Sequence, residues 1–162
     1  MHPRRVAALL AVAAGLAAPS ATGAGGVAIV GLDGVDLGRW SGRGDLTGSD
    51  AHCVAVDSGH GSPHFHLRAS GDGPGGRFEL TDGFTALPFD VRYDDGGGAR
   101  RLDPGRTLAH LRGRPRTPGA GPCAARGRGV QQRLEIRVRA GDLARAPAGR
   151  FRGRVHLMVL AE

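Results

Sequence analysis

The chain has 162 residues and carries 22 Lys and Arg against 15 Asp and Glu, which gives a formal net charge of +7 at pH 7. Every one of these basic residues is an arginine, because the sequence contains no lysine. A complete absence of lysine indicates a GC-rich codon bias, so the positive charge is weak support for nucleic-acid binding. We therefore expect no nucleic-acid partner.

The first 24 residues have the three parts of a secretory signal peptide. A short basic start is followed by a 13-residue apolar run over 6–18 and by small residues at 22–24. This run is shorter than the roughly 20 apolar residues of a membrane-spanning helix, which disfavours the alternative of an N-terminal membrane anchor. The sequence predicts a signal peptide over 1–24 outside the fold, a single mature domain over 25–162, and export without stable membrane insertion.

The mature part consists of short runs in which apolar and polar residues alternate, separated by turns rich in glycine and proline. Gly contributes 29 residues to the chain and Pro contributes 10. Short alternating runs of this kind are typical of antiparallel β-sandwiches and barrels. The predicted strands cover residues 27–32, 52–57, 64–70, 77–81, 85–93, 107–111, 130–139 and 150–160. One helical turn is predicted within 141–147. Pro88 cannot donate to a ladder, so we expect an edge strand or a bulge there.

The last predicted strand changes its pattern along its length. One of its sides carries the apolar residues Phe151, Val155, Leu157 and Val159. The other side is basic up to residue 156, after which Met158 and Leu160 make both sides apolar. Because a half-buried strand normally keeps one polar side, this pattern predicts that another strand, from this chain or a partner, covers the end of the last one.

Arginines recur on the polar sides of the last two predicted strands. They stand at positions 133, 137, 139, 150, 152 and 154. If these strands were neighbours, the arginines would share one face that could meet an anionic polysaccharide or another subunit. An ordinary solvated face is the simpler interpretation.

Two cysteines, Cys53 and Cys123, lie in the mature part and are 70 residues apart. An even number of cysteines in an exported chain favours a disulfide. The alternative is a pair of separate buried thiols.

Three weak motifs could bind ligands. His60, His64 and His66 lie close together and could hold Zn or Cu, but no cysteine or clear acidic fourth ligand adjoins them. The adjacent carboxylates at 94–95 could bind Ca²⁺, although a hairpin turn explains an Asp-Asp-Gly run more simply. The tripeptide RGD at 43–45 matches an integrin-binding motif that is common by chance. We expect no metal and no cofactor.

The sequence shows no arrangement typical of catalysis. None of the serines of the mature part that we considered as nucleophiles lies in a G-x-S-x-G elbow; these are Ser41, Ser49, Ser58, Ser62 and Ser70. Cysteines joined in a disulfide would not act as nucleophiles. We therefore expect a protein that is not an enzyme.

Several segments, taken in order, resemble the spore coat protein U-like family, which includes subunits of archaic chaperone–usher pili. These segments are "VDLGRWSG" (35–42), "FHLRASG" (65–71), "LPFDVRY" (87–93) and "PAGRFRGRVHLMV" (147–159), with one cysteine after the first and another before the last. The resemblance implies an immunoglobulin-like antiparallel β-sandwich that lacks one strand. It also implies a periplasmic chaperone, an usher and other pilin-like subunits as partners, because a donated strand fills the open groove.

By this resemblance the C-terminal strand flanks the groove. The residues expected at the groove or its edge are Ile29, Phe151, Val155, Leu157, Met158, Val159 and Leu160. Residues 25–34 are short for a donor strand. The predicted function is an exported structural subunit that passes through the periplasm to the cell surface or a coat. The alternative is a self-contained secreted module that binds a glycan or a surface partner through its loops.

Overall fold

The computed structural model describes residues 26–57, 63–116, 123 and 131–162, together with the backbone of residues 6–13. These residues form thirteen strands, one short 3₁₀ turn and one helix, α1 (Ala140–Arg145). The strands are β1 (Val6–Ala13), β2 (Val27–Val30), β3 (Val35–Arg39), β4 (Leu46–Val56), β5 (His64–Gly71), β6 (Glu79–Thr81), β7 (Ala86–Pro88), β8 (Asp90–Asp94), β9 (Ala99–Leu102), β10 (Thr107–Arg112), β11 (Arg114–Pro115), β12 (Gln132–Val138) and β13 (Gly149–Ala161).

The strands are divided between two sheets, which confirms the predicted β-sandwich. In the first sheet the strands follow the order β10, β5, β13, β1, β3, with β6 beside β13 and β7 beside β6. In the second sheet the order is β11, β4, β12, β8, β9, with β2 beside β4. The ladders are antiparallel except for two parallel pairs among the described strands, β1 with β13 and β11 with β4.

The alternating runs place their apolar sides between the two sheets, as the period of two dictates. In β12, Leu134, Ile136 and Val138 are fully buried, whereas Arg133 and Arg137 on the other side of the strand are exposed. The ring of Phe65 in the first sheet meets that of Tyr93 in the second edge to face, with centroids 6.3 Å apart. The core is therefore a contact between the two layers.

The position of β12 and β13 removes the alternative of a shared basic face. These strands belong to different sheets, so their arginines lie in separate layers and do not form one basic face. The physical reason is that the chain crosses the sandwich through α1, instead of returning by a hairpin. Within α1 Leu143 is buried, which confirms the helical turn predicted before the last strand.

The run 85–93 is split between the sheets at Phe89. Pro88 ends β7, whose described ladder partner is β6, and β8 then joins β12 and β9 in the other sheet. The backbone N–H of Phe89 donates to the carbonyl of Phe78 at 3.1 Å. The expectation of an edge strand at Pro88 is thus confirmed. The change of sheet at Phe89 was not predicted.

The strand β3 was not predicted from the sequence. It packs Val35 and Leu37 into the core directly over Gly48 of β4. A Cβ atom at Gly48 would lie 2.5 Å from Cγ1 of Val35, so the close approach of β3 requires a glycine at this position.

A buried polar pair lies within the core. His52 of β4 and Tyr93 of β8 are both inaccessible, and Nε2 of His52 lies 3.0 Å from the hydroxyl of Tyr93. Burial lowers the pKa of His52 and raises the pKa of Tyr93. Each side chain is therefore held in its neutral form by the fold.

We expect the free energy of unfolding to fall below about pH 6.5 and above about pH 10. Below the ordinary histidine pKa of about 6.5 the unfolded chain binds a proton at His52 while the folded chain does not, and above about pH 10 the unfolded chain loses the Tyr93 proton first. Each effect is at most about 1.4 kcal/mol per pH unit. Urea unfolding at stepped pH measures both.

The control is His52→Gln, which keeps a hydrogen-bonding amide beside Tyr93 but cannot titrate. The difference in unfolding free energy between the wild type and this variant should narrow as the pH is lowered from about 8 to about 5. Parallel curves for the two proteins would contradict the assignment of His52.

Candidate functional site

The apolar part of the predicted signal peptide forms a strand of the first sheet. In the full-length chain, β1 lies between β13 and β3. It runs parallel to β13 from the pair Val6 and Gly149 to the pair Ala13 and His156, and it is antiparallel to β3. The assignment of residues 1–24 to a signal peptide outside the mature domain stays a prediction; in the uncleaved chain, residues 6–13 pair with that domain.

This placement has a physical reason: without β1, one edge of β13 and one edge of β3 would have no partner strand. On its far edge β13 is paired with β5 and β6, and its near edge is met by β1. In the described part of the chain β3 has a ladder with β1 alone. Open strand edges bind extended segments readily, and residues 6–13 are apolar without Gly or Pro. We call the single-strand slot that β1 occupies the β13/β3 groove.

The inner side chains of β13, which line the β13/β3 groove, become less buried toward the C-terminus. Phe151 and Val155 are fully buried, whereas Leu157 and Val159 are only half-buried although they pack against the core. The ladder with β1 ends at His156. The apolar inner side of β13 therefore opens at the point where its partner strand stops.

The outward residues of the same segment are exposed. Met158 is 57% exposed and Leu160 is 55% exposed, and no described strand lies over them. Both belong to the part of β13 that pairs with β5, opposite Arg68 and His66. The expectation that another strand covers these two side chains stays a prediction.

Ile29 lies in the other sheet. Its strand β2 pairs with β4, with Ile29 opposite Val54, and the side chain packs against the core. Strand β2 also approaches β13. The role of Ile29 in strand binding stays a prediction.

A disulfide joins Cys53 to Cys123, with their Cα atoms 6.2 Å apart. Cys53 lies near the end of β4, opposite Val30 of β2. The predicted bridge is thus present, and it is attached to the part of β4 that carries β2.

The predicted histidine cluster is only partly described. His60 lies outside the described residues, and His64 and His66 lie on β5. The structure brings His66 to His110 and Glu162, with Nδ1 of His110 at 2.7 Å and Nε2 of His66 at 3.8 Å from Oε1 of Glu162. No group of three or more His, Cys, Asp or Glu in the described ranges could hold a metal ion.

The carboxylates of the Asp94–Asp95 run bind backbone N–H groups. Oδ1 of Asp94 accepts from Gly96 at 2.7 Å and from Gly98 at 3.1 Å. Oδ2 of Asp95, which is buried, accepts from the backbone of Arg112 at 2.8 Å. These contacts confirm the hairpin-turn interpretation of the run.

The aspartate of the RGD tripeptide is also bound within the protein. Oδ1 of Asp45 accepts the backbone N–H of Ala140 at 2.7 Å, and Oδ2 accepts from Nε of Arg137 at 2.6 Å. The hydrogen bond from Ala140, and then that from Arg137, lowers the pKa of Asp45. This carboxylate ties the start of α1 to the chain before β4.

Phe84 is a surface feature that the sequence analysis missed. It is 99% exposed on the turn between β6 and β7. Oδ1 of Asp82 accepts the backbone N–H groups of Phe84 at 2.9 Å and Thr85 at 2.7 Å, so the turn is braced while the ring is free. A Thr-Asp-Gly-Phe run before a strand is the signal that could have identified it.

No helix in the described part of the chain is long and apolar enough to cross a membrane.

Comparison with known proteins supports the fold. No protein-family model and no curated protein matches the chain. The chain is similar to a chain of a solved structure described as a chaperone–tip adhesin complex vital for synergistic activation of CFA/I fimbriae biogenesis. The TM-score is 0.59 at 18% identity, and the match covers 84% of this chain and 41% of that chain. This chain thus spans about two fifths of the chain that it matches, and the likeness shows the sandwich fold alone.

Proposed function

We propose that this chain is an exported structural subunit of a bacterial surface appendage or coat, without enzymatic activity, whose β13/β3 groove accepts a strand from a partner protein. In this proposal residues 1–24 are a signal peptide that is removed on export. The mature subunit then meets a periplasmic chaperone and an usher, followed by other pilin-like subunits at the cell surface.

The observation that carries the proposal is the origin of the strand in the groove. The two edges that flank it, β13 and β3, belong to the mature domain, whereas β1 belongs to the predicted signal peptide. Removal of residues 1–24 leaves one edge of β13 without a partner over eight residues, while its other edge stays paired with β5 and β6. It also removes the ladder partner described for β3. The similarity to a chain of a fimbrial chaperone–adhesin complex adds support.

Binding in such a groove needs no reactive group. Backbone N–H and C=O groups of the donated strand complete the ladders of β13 and β3, and apolar side chains at every second position enter the core. In the open groove the edge groups of β13 and β3 bind water, so each ladder hydrogen bond formed with the donor contributes about 0.5–1.5 kcal/mol net. Burial of the donor's apolar side chains adds to this gain. Occupation of the groove is therefore expected to be favoured.

The alternative function is a self-contained secreted module that binds a glycan or a surface partner through its loops. The observation in its favour is Phe84, an aromatic ring presented to solvent on a braced turn. An exposed aromatic ring can stack on a ligand. This alternative requires the mature chain to be stable without any added strand, a condition that the first experiment of the Discussion measures.

The proposed function is tested with a strand supplied in trans. Mature chain (25–162) is mixed with a fluorescent peptide of residues 6–13 that carries a charged solubilising tail, and binding is followed by anisotropy. We expect saturable binding, because this segment fits the β13/β3 groove in the full-length chain. The control peptide carries Leu9→Pro, which removes a backbone donor from the middle of the strand.

We expect the control peptide to bind at least about tenfold more weakly, which corresponds to the loss of about 1.4 kcal/mol. Equal binding of the two peptides would indicate unspecific hydrophobic adsorption. No binding of either peptide would exclude the groove as an acceptor.

A further inference from the structure

We infer that the strand that fills the β13/β3 groove in the assembled protein comes from a different kind of chain, and not from residues 25–34 of a second copy. The inference rests on the proposed function, in which residues 1–24 are removed and the groove accepts a donated strand. It concerns the N-terminal segment of the mature chain, which is the segment that would have to serve as donor between identical subunits.

This segment is already a strand of its own sheet. Residues 27–30 pair in full with residues 53–56 of β4. The carbonyl of Gly26 also accepts the backbone N–H of Asp57 at 2.7 Å. Val27 and Ile29 are half-buried and pack against the core. The N-terminal segment is thus held by its backbone and by its side chains.

The chain beyond β2 is fixed as well. Oδ2 of Asp50 accepts the backbone N–H groups of Asp33 at 2.9 Å and Gly34 at 3.2 Å. The next residues, Val35 and Leu37, are buried in the core. Residues 26–37 are therefore attached to the domain along their length, with both ends of the β2–β3 connection anchored on β4 or in the core.

Donation by this segment would require it to leave β4. The ladder of Val27–Val30 would be lost, and the buried side chains of Val54 and Val56 would lose the strand beside them. In the donor copy the edge of β4 would be left without its partner, and this loss offsets part of the strand pairing gained in the groove of the acceptor copy.

The length of β2 also argues against its donation to a second copy. At about 3.3 Å per residue, the four-residue strand β2 covers roughly 13 Å, whereas the eight-residue strand β1 that occupies the groove extends over roughly 26 Å. Gly31 follows β2 with a φ of 79°, a left-handed conformation that turns the chain out of the strand. β2 is thus too short to occupy the groove.

The groove itself indicates the chemistry of the missing donor. The inner side of β13 is apolar at Phe151 and Val155, and it continues beyond the ladder of β1 to Leu157, Val159 and Ala161. A donor that covers the whole edge is an extended segment of about thirteen residues with apolar side chains at alternate positions. We expect such a segment in a subunit of different sequence.

The test compares two peptides and the oligomeric state of the mature chain (25–162). Fluorescent peptides of residues 6–13 and of residues 25–34 carry the same charged tail. We expect the first to bind and the second to bind at least about 100-fold more weakly. In size-exclusion chromatography with light scattering, any oligomers that the open groove of the mature chain causes should persist in the variant Ile29→Pro. Hydrogen exchange should show protection of those amides of Val27–Val30 that face β4, because only alternate N–H groups of an edge strand donate to its partner.

The outcomes separate this inference from the proposed function. Comparable binding of the 25–34 peptide, fast exchange at Val27–Val30, or concentration-dependent oligomers abolished by Ile29→Pro would overturn the inference and leave strand acceptance intact. Failure of both peptides to bind would remove the proposed function, and the inference would fall with it.

Discussion

Removal of residues 1–24 should lower the free energy of unfolding by about 3 kcal/mol or more, which is the scale of several ladder hydrogen bonds exchanged for bonds to water together with the loss of buried apolar surface. The full-length chain pairs β1 with both β13 and β3. The chain of residues 25–162 lacks this strand and has an open groove over an apolar floor. We therefore also expect it to aggregate more readily.

The measurement uses Trp40, the single tryptophan of the chain. Trp40 is buried directly after β3, and its Nε1 donates to the carbonyl of Gly44 at 2.8 Å. Both chains are produced by oxidative refolding in vitro, where no signal peptidase acts, and are unfolded in urea. Because β3 loses the ladder with β1, the emission of Trp40 in the shorter chain should shift toward that of exposed tryptophan before the main transition.

The matched control is the full-length chain with Leu9→Pro, which keeps the length and composition but removes a ladder donor from β1. It should behave like the chain of residues 25–162. Equal unfolding free energies for the full-length and shortened chains, with the shortened chain monomeric and cooperative, would mean that the sandwich is complete without β1. This result would favour the self-contained binding module.

Loss of the Cys53–Cys123 disulfide should lower the free energy of unfolding by about 2–4 kcal/mol. The bridge closes a loop with a sequence separation of 70 residues, for which chain entropy alone gives roughly 4 kcal/mol, and measured losses are often smaller. The variant is the double substitution Cys53→Ala and Cys123→Ala, which leaves no unpaired thiol. Urea unfolding measures the change.

The position of Cys53 predicts that loss of the disulfide affects stability but not strand binding. Cys53 is opposite Val30 of β2, so the bridge is attached near the N-terminal segment, in the sheet that does not contain β13. Binding of the 6–13 peptide by the folded double variant should therefore be unchanged, while its stability falls. Reduction of the wild type should reproduce the same loss, and a stability unchanged by both treatments would contradict the prediction.

The elements predicted best from the sequence are those with strict alternation. The run 130–139 became β12 and the run 150–160 became β13, because a two-residue period along one apolar face identifies a strand without reference to its neighbours. The cysteine pair was predicted for a similar reason, since only two cysteines were present to combine. The hairpin at Asp94 and Asp95 followed from local turn chemistry.

Other elements could not be found in this way. β3 has only Val35 and Leu37 as its buried positions, and its place depends on the absence of a side chain at Gly48. The contact between His66 and Glu162 could not be predicted, because the two residues are distant in sequence. Phe89 marks a change of sheet inside a continuous alternating run, which a pattern of period two does not distinguish from an unbroken strand.

By itself the sequence determined the class of fold and the apolar faces of its long strands, because the period of side-chain orientation is a local property of the backbone. It also marked the anomaly at Met158 and Leu160. Only the tertiary structure decided which edges meet: that β12 and β13 lie in different sheets, that β2 is bound to β4, and that β13 and β3 leave room for one strand between them. Strand pairing depends on backbone hydrogen bonds between segments distant in sequence, and these bonds carry no signature in the side chains of either partner.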